Sequence, residues 1–310
     1  MMNFLNGTAG SFKNHSKHNY MTKPRVLVFD SDGVISIRRK ILPGAADFFS
    51  CLNTIRYPYF VMTNHPCLDK KKKSAFYKKL GICISPERII GAADPLGNWL
   101  KDYPLSGKKV YAIGVENPAL YLKKLGLVTA NAESPEKLSA VILFDDDFHW
   151  SFQRLAEVFN ILLQNPSIPV IIPNPDLLFP LRSARKNNKN KQEEPVYFFP
   201  TSGILRPMIE SLCHAKGIEP KIFFLGKPFA PVYREAQTRI QKVFGKTPPS
   251  RIAMIGDTPA IDIFGAKRMG WTTYLIKTGN YLYGKGKPGC RADKTFNGLA
   301  DLARFLKLTL

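Results

Sequence analysis

Four apolar runs of strand length each end in a short polar cluster, and this repeated punctuation narrows the possible folds of the chain more than any other feature. Val26 to Phe29 leads into Asp30-Ser31-Asp32-Gly33, and Tyr59 to Met62 leads into Thr63-Asn64. Ile222 to Leu225 leads into Gly226-Lys227-Pro228, and Ile252 to Ile255 into Gly256-Asp257 with Asp262 shortly after. Unbroken runs of this kind read as strands buried on both faces, as in a parallel sheet covered by helices. Helical patterns fall between the first two: "ILPGAADFFSCLNTI", entered through Pro43 and Gly44 with Ala46, Phe49, Leu52 and Ile55 at helical spacing, and then "KKKSAFYKKLGI", closed by Gly81. Strand and helix alternating at short intervals predict an α/β fold built on a doubly wound parallel sheet, in which ligands sit beyond the carboxyl ends of the strands.

A second set of units lies between the outer clusters: "KKVYAIG", "SAVILFDDD", a helix from Trp150 to Leu163, and "IPVIIPNPD". They read as a separate α/β module, and 310 residues at about 150 per domain also suggest two domains. No apolar run approaches the roughly 20 residues that span a bilayer, which argues against a membrane partner. The five cysteines are widely spaced without a Cys-x-x-Cys pair, so zinc ribbons and thioredoxin-like chemistry are not indicated and a reduced, cytoplasmic setting is expected. The first 24 residues lack the apolar core of a secretory signal and contain no acidic residue; they read as a disordered tail, with an organellar transit role as the alternative.

The formal charge of +21 would concentrate anions near the surface, whatever their kind. Neither basic run, Lys70 to Lys73 or the looser Arg182 to Lys191, is interleaved with stacking aromatics, so both read as solvated faces and no specific nucleic-acid partner is expected. The low-complexity stretch from Arg182 to Glu194 reads as a mobile loop.

Each polar cluster alone has an ordinary explanation as a turn or a helix cap. Together, at strand ends in this order, they gather Asp30, Asp32 and Asp257 at one sheet edge, where like charges repel unless a cation compensates them. Few carboxylates with room for water and phosphate suit Mg²⁺. Lys227, the Thr63 hydroxyl and loop amides supply the complementary positive side, and the reading is a magnesium-dependent phosphoryl-transfer centre.

The set "FDSDGV", "VMTN", "LGKP" and "IGDTPAID" resembles the haloacid dehalogenase (HAD) superfamily, and the long insertion between the second and third motifs resembles its NagD-like branch with a C2 cap. "ILPGA", "NPDLLFP" and "FPTSGILRPMIE" fit the same branch, and the resemblance runs from Lys23 to the C-terminus. It implies a HAD-like core of residues 22–90 and 208–310, a C2 cap of residues 91–207 and a tail through residue 21. It further implies a phosphatase of small phosphorylated metabolites. Asp30 would be the nucleophile, and Asp32 the general acid and base with its carbonyl on Mg²⁺. Thr63 and the Asn64 amide would hold phosphate, and Lys227 would neutralise it. Gly33 would let the chain turn beneath the phosphate. Asp257 would bind the metal, with Asp262 in the outer shell or orienting Lys227. Leu177, Leu178 and Phe179, with Thr201 and Ser202, are the candidates for selecting the leaving group, although Leu178 and Phe179 would alternatively pack inside the cap. A homodimer through the cap is implied by the resemblance alone.

Ser31, Ile261 and the Arg38-Arg39 pair depart from the family pattern without removing a catalytic group. Asn174 and Asp176 read as a turn closing a cap strand, with substrate contact as the alternative. Asp145 to Asp147 read as a solvated loop at a helix N-terminus, and His65 as a hydrogen-bonded structural residue. Two rival functions are a phosphotransferase of the mutase type and a silent binding protein on the same fold. Mutases usually insert a helical cap after the first motif, and the roughly 30 residues from Asp30 to Thr63 leave no room for one.

Overall fold

The computed structural model describes residues 23–37, 40–114, 117–145, 150–181, 197–283 and 290–309. Strands are numbered β1 to β15 in chain order. Six parallel strands form the first sheet, in the order β15 (Lys294–Phe296), β14 (Thr272–Ile276), β13 (Ile252–Gly256), β1 (Val26–Phe29), β4 (Tyr59–Thr63) and β5 (Ile89–Gly91). From β1 the chain winds outward through β4 and β5, then returns on the other side at β13. The reversal falls between β1 and β13, which is the switch point at which such sheets place their ligands. β1 and β13 are buried along their whole length, as their apolar runs predict.

Beneath the end of β1, Phe29 meets Phe48, Phe49 and Tyr59 with ring centroids 5.0–6.3 Å apart. Removing such a ring leaves a cavity and costs about 3–5 kcal/mol, so Phe29→Ala would loosen the support directly under Asp30. The helix Ala45–Thr54 buries Ala45, Phe48, Phe49 and Leu52. That stripe differs from the expected one, because Ile55 is the C-cap and is 51% exposed, while the helix enters the core at Ala45 straight after Gly44. The next helix, Lys70–Lys79, starts where the Asp69 carboxylate accepts from Lys71 N–H and Lys72 N–H at 3.0 and 3.3 Å.

A second parallel sheet has the order β12 (Lys221–Phe224), β9 (Pro169–Ile172), β8 (Ala140–Leu143), β6 (Lys109–Ile113) and β7 (Val128–Thr129). Its core includes Val141, Leu143, Val158, Ile161, Val170 and Ile209. Membership of β12 corrects the expected boundary: residues 208–224 belong with the inserted module, Leu225 still packs in that module's cluster with Ile142 and Ile171, and the first sheet's core takes up the chain again at Val232. The physical reason is register, since Lys221 to Phe224 pair residue by residue with Pro169 to Ile172 and extend the second sheet instead of the first. Two small antiparallel ribbons complete the strands: β2 (Ser36–Ile37) with β3 (Lys40–Ile41), and β10 (Leu178–Leu181) with β11 (Tyr197–Pro200). No helix among the described residues is long and apolar enough to cross a membrane. The expected tail, the Arg182 to Glu194 loop, Arg38 and Arg39 lie outside the described residues.

Candidate active site

A cleft of about 550 Å³ opens where the carboxyl ends of β1, β4 and β13 face the second module. The buried ammonium of Lys227 lies 2.5 Å from Asp30 Oδ1 and 2.7 Å from Asp262 Oδ1. Ser31 N–H also donates to Asp30 Oδ1 at 2.7 Å, while Oδ2 receives no donor among the described residues. Both oxygens of Asp262 are engaged, Oδ1 by Lys227 and Oδ2 by Thr258 N–H at 3.0 Å, and the carboxylate sits in a π-helical turn, Pro259–Ile263. Asp262 therefore aims the lysine. Asp257 accepts from the Thr258 hydroxyl at 2.9 Å and from Asn280 N–H at 2.5 Å.

Carboxylate oxygens of Asp30, Asp257 and Asp262 lie within 4.8 Å of one another, all on buried residues. Burial pushes Asp30 well above the ordinary carboxylate range; Lys227 pulls it down, and Asp262 and Asp257 push it up again. Asp257 is pushed up to about 7 by burial and then by Asp262. Burial opposes the charge on Lys227, but Asp262 and Asp30 outweigh it and hold the ammonium well above its usual range. Three buried carboxylates thus share one ammonium, and the uncompensated negative charge suits a hard divalent cation with oxygen ligands.

Gly33 adopts φ +100°, and a Cβ there would stand 1.9 Å from Asp257 Oδ2, so the turn after Asp32 exists only because no side chain intrudes. Asp32 itself, 64% exposed at its side chain, lines the cleft. Thr63 is buried and its hydroxyl accepts from His65 N–H at 3.2 Å. From the second module, Leu177, Leu178, Phe179, Thr201 and Ser202 all line the same cleft. Leu178 and Phe179 are 53% and 37% exposed, so they face the opening and do not fill the module's interior.

A family model for haloacid dehalogenase-like hydrolases matches residues 27–128, and a second, HAD-hydrolase-like, matches residues 224–302. The chain belongs to the haloacid dehalogenase superfamily. A mitochondrial hydrolase of Saccharomyces cerevisiae is 25% identical over 90% of the chain and 94% of its own length. A dihydroxyacetone phosphatase of Corynebacterium glutamicum is 26% identical over 81% and 80%. Among solved structures, a p-nitrophenyl phosphatase from Archaeoglobus fulgidus covers 92% of the chain and all of its own, with a TM-score of 0.72 at 20% identity. NagD from E. coli covers 90% and 98%, with a TM-score of 0.68 at 19% identity. These likenesses place the HAD protein's fold in the NagD-like branch, a Rossmann-like core with an inserted α/β cap. The yeast relative's mitochondrial name leaves the cytoplasmic expectation unsupported.

Several residues of this HAD protein do more than the sequence suggested. Lys73, inside a run read as a solvated face, turns into the cleft 3.7 Å from Asp32 Oδ2 and over the rings of Phe76 and Tyr77. One helical turn on, the Tyr77 hydroxyl donates to the Ser31 hydroxyl at 2.7 Å, which accounts for a serine between the two aspartates. Asp145 is not a solvated helix start: it accepts from Asn174 Nδ2 at 3.0 Å and the Ser202 hydroxyl at 2.6 Å, whereas Ser151 caps the helix that follows. Asp146 and Asp147 lie outside the described residues. Asn174 closes the turn as expected, its Oδ1 accepting from Asp176 N–H at 3.0 Å. His65 is hydrogen-bonded as read, its Nδ1 accepting from Cys67 N–H at 3.2 Å, and it also lines the cleft. The side chain of Asn64 is committed to Lys227 and Asp176. The i, i+4 spacing could have flagged Lys73 and Tyr77 on one helix face; Asp145 and Asp176 each follow an apolar run, but nothing local marks their partners Ser202 and Asn64.

Proposed function

We propose that this chain hydrolyses small phosphate monoesters in a Mg²⁺-dependent reaction that passes through an aspartyl-phosphate on Asp30. The observation that carries the reading is the asymmetry of the Asp30 carboxylate: Oδ1 is pinned by Lys227 and Ser31 N–H, and Oδ2 is left to attack. The names of relatives support the reaction class: besides the dihydroxyacetone phosphatase, a Schizosaccharomyces pombe relative is a 4-nitrophenylphosphatase.

Thr63, the Asn64 backbone and Lys227 hold the phosphate oxygens. Asp30 Oδ2 then displaces the alcohol in line at phosphorus, forming the acyl phosphate. Asp32 gives its proton to the leaving oxygen and takes one back from the water that cleaves the P–O bond to Asp30, so that phosphate leaves and both carboxyls are restored. Asp30, Asp257 and the Asp32 carbonyl would hold Mg²⁺, with Asp262 acting through Lys227; the ion would supply positive charge against the phosphate and the three carboxylates. The cap covers the cleft and limits water during the first transfer. Its apolar edge at Leu177, Leu178 and Phe179 suits a leaving group with an apolar face.

The test is phosphate release from an aryl phosphate, with and without Mg²⁺, by the wild-type chain and Asp30→Asn. Turnover that needs Mg²⁺ and disappears in the variant is expected. A folded wild-type protein releasing nothing from aryl, triose, sugar or pyridoxal phosphates contradicts the reading.

A further inference from the structure

The ammonium of Lys227 meets Asp30 and Asp262 only if the backbone that carries it is held still, because a lysine side chain has four rotatable bonds. Lys227 follows β12 of the cap and precedes the core helix Ala230–Phe244, so its loop joins two units. Asn64 grips that loop at two points: its Oδ1 accepts from Lys227 N–H at 2.7 Å and its Nδ2 donates to the Lys227 carbonyl at 2.9 Å. The second hydrogen of Nδ2 goes to Asp176 Oδ1, also at 2.9 Å. Rotating the amide by half a turn would set its oxygen against the Asp176 oxygen and its NH₂ against Lys227 N–H, so Asp176 selects the orientation that holds the lysine loop.

Asp176 is in turn fixed within the cap. Its N–H donates to Asn174 Oδ1, and its carbonyl accepts from the Thr201 hydroxyl. Gly226 N–H donates to the Pro173 carbonyl at 2.9 Å, and a Cβ on Gly226 would lie 2.6 Å from Asn64 Oδ1 and 2.8 Å from Pro175 Cδ. The core loop after β4, the lysine loop and the cap turn therefore meet with no space for a side chain between them.

We propose that Asp176 and Asn64 are positioning residues that couple the seating of the cap to the aim of Lys227. The inference rests on the phosphatase reading and on the role it gives Lys227. When the cap turn is seated, Asp176 sets the Asn64 amide, the amide fixes the Lys227 peptide, and the ammonium is aimed at Asp30. When the turn withdraws, the amide loses its reference and the lysine its aim. A misplacement of about 1 Å at a reacting group can cost on the order of 10²-fold in rate.

The experiment is steady-state kinetics of the full chain on two esters with unlike leaving groups, p-nitrophenyl phosphate and glycerol phosphate. Asp176→Ala is expected to lower kcat about 10- to 100-fold by the same factor for both esters, with KM within about threefold. Asp176→Asn keeps an acceptor oxygen and is expected to recover most of the loss. Asn64→Asp removes the donor to Asp176 and to the Lys227 carbonyl; it is expected to show the same substrate-independent fall, and it serves if Asp176→Ala does not fold. Wild-type kcat in Asp176→Ala overturns the proposal. So does a loss differing about tenfold or more between the two esters, which would make Asp176 a leaving-group contact. Wild-type protein inactive on both esters would instead count against the phosphatase reading, so the two failures are separable.

Discussion

The two parallel sheets are built from the same kind of strand and end in carboxylates at the same cleft, yet they treat those carboxylates in opposite ways. On the core side, Asp30, Asp257 and Asp262 crowd within 4.8 Å around one ammonium. On the cap side, Asp145 and Asp176 are bound by amides and a hydroxyl, from Asn174, Ser202 and Asn64. Charge left uncompensated is available for a metal and for chemistry; charge met by neutral donors holds a shape. On the proposed reading, catalysis belongs to the core edge and organisation of the cleft to the cap edge.

The largest expected effect breaks the core side. Asp30→Asn should remove the nucleophile and lower kcat by about 10³-fold or more, while the circular dichroism spectrum stays that of the wild type. Next is the metal: Mg²⁺ at about a hundredfold excess over its Kd should stabilise the chain by about 2.7 kcal/mol, seen as a rise in Tm that Asp257→Asn abolishes. A smaller contrast pits two glycines against each other. Gly33→Ala forces a methyl against Asp257 at a positive φ and should cost about 1–3 kcal/mol together with most of the activity. Gly217→Ala, also at positive φ but with open space around it, should cost about 1 kcal/mol in denaturant unfolding and leave kcat alone.

The smallest effect sharpens the cap side. Burial pushes Asp176 up to about 6, with the Asn64 hydrogen bond and Lys227 pulling down and Asp262 and Asp145 pushing up. An acid whose folded pKa is raised binds more protons folded than unfolded, so stability from this group falls as pH rises from the ordinary carboxylate range through about 6. Denaturant midpoints measured across that window should decline with pH in the wild type and decline less in Asp176→Asn.

How much was legible in the sequence follows the same division. Asp30, Thr63 and Asp257 each terminate an apolar run of the first sheet, so their placement on one edge was readable from local pattern and from the rule that parallel strands present their carboxyl ends together; Lys227 also follows an apolar run, but that run belongs to the second sheet and reaches the site from the cap side. Sheet membership was not readable at β12, because a buried strand carries no mark of which partner it pairs with; only the register with Pro169–Ile172 shows it. Lys73 was hidden in a lysine run, since four identical side chains differ only in which way the helix turns them. The contacts of Asn64 with Asp176 and Lys227 span 112 and 163 residues, and their meaning exists only once cap and core are docked.

The central claim is that Asp30 carries the phosphoryl group between the two half-reactions. Mass spectrometry of acid-quenched turnover of an aryl phosphate tests it most directly, using Asp32→Asn, which slows the second step while the aryl leaving group departs without a proton from Asp32. A phosphoryl adduct on Asp30, present with Mg²⁺ and missing in Asp30→Asn, is the result expected. Turnover with no adduct at Asp30, or with Asp30→Asn releasing phosphate at the wild-type rate, would contradict the account.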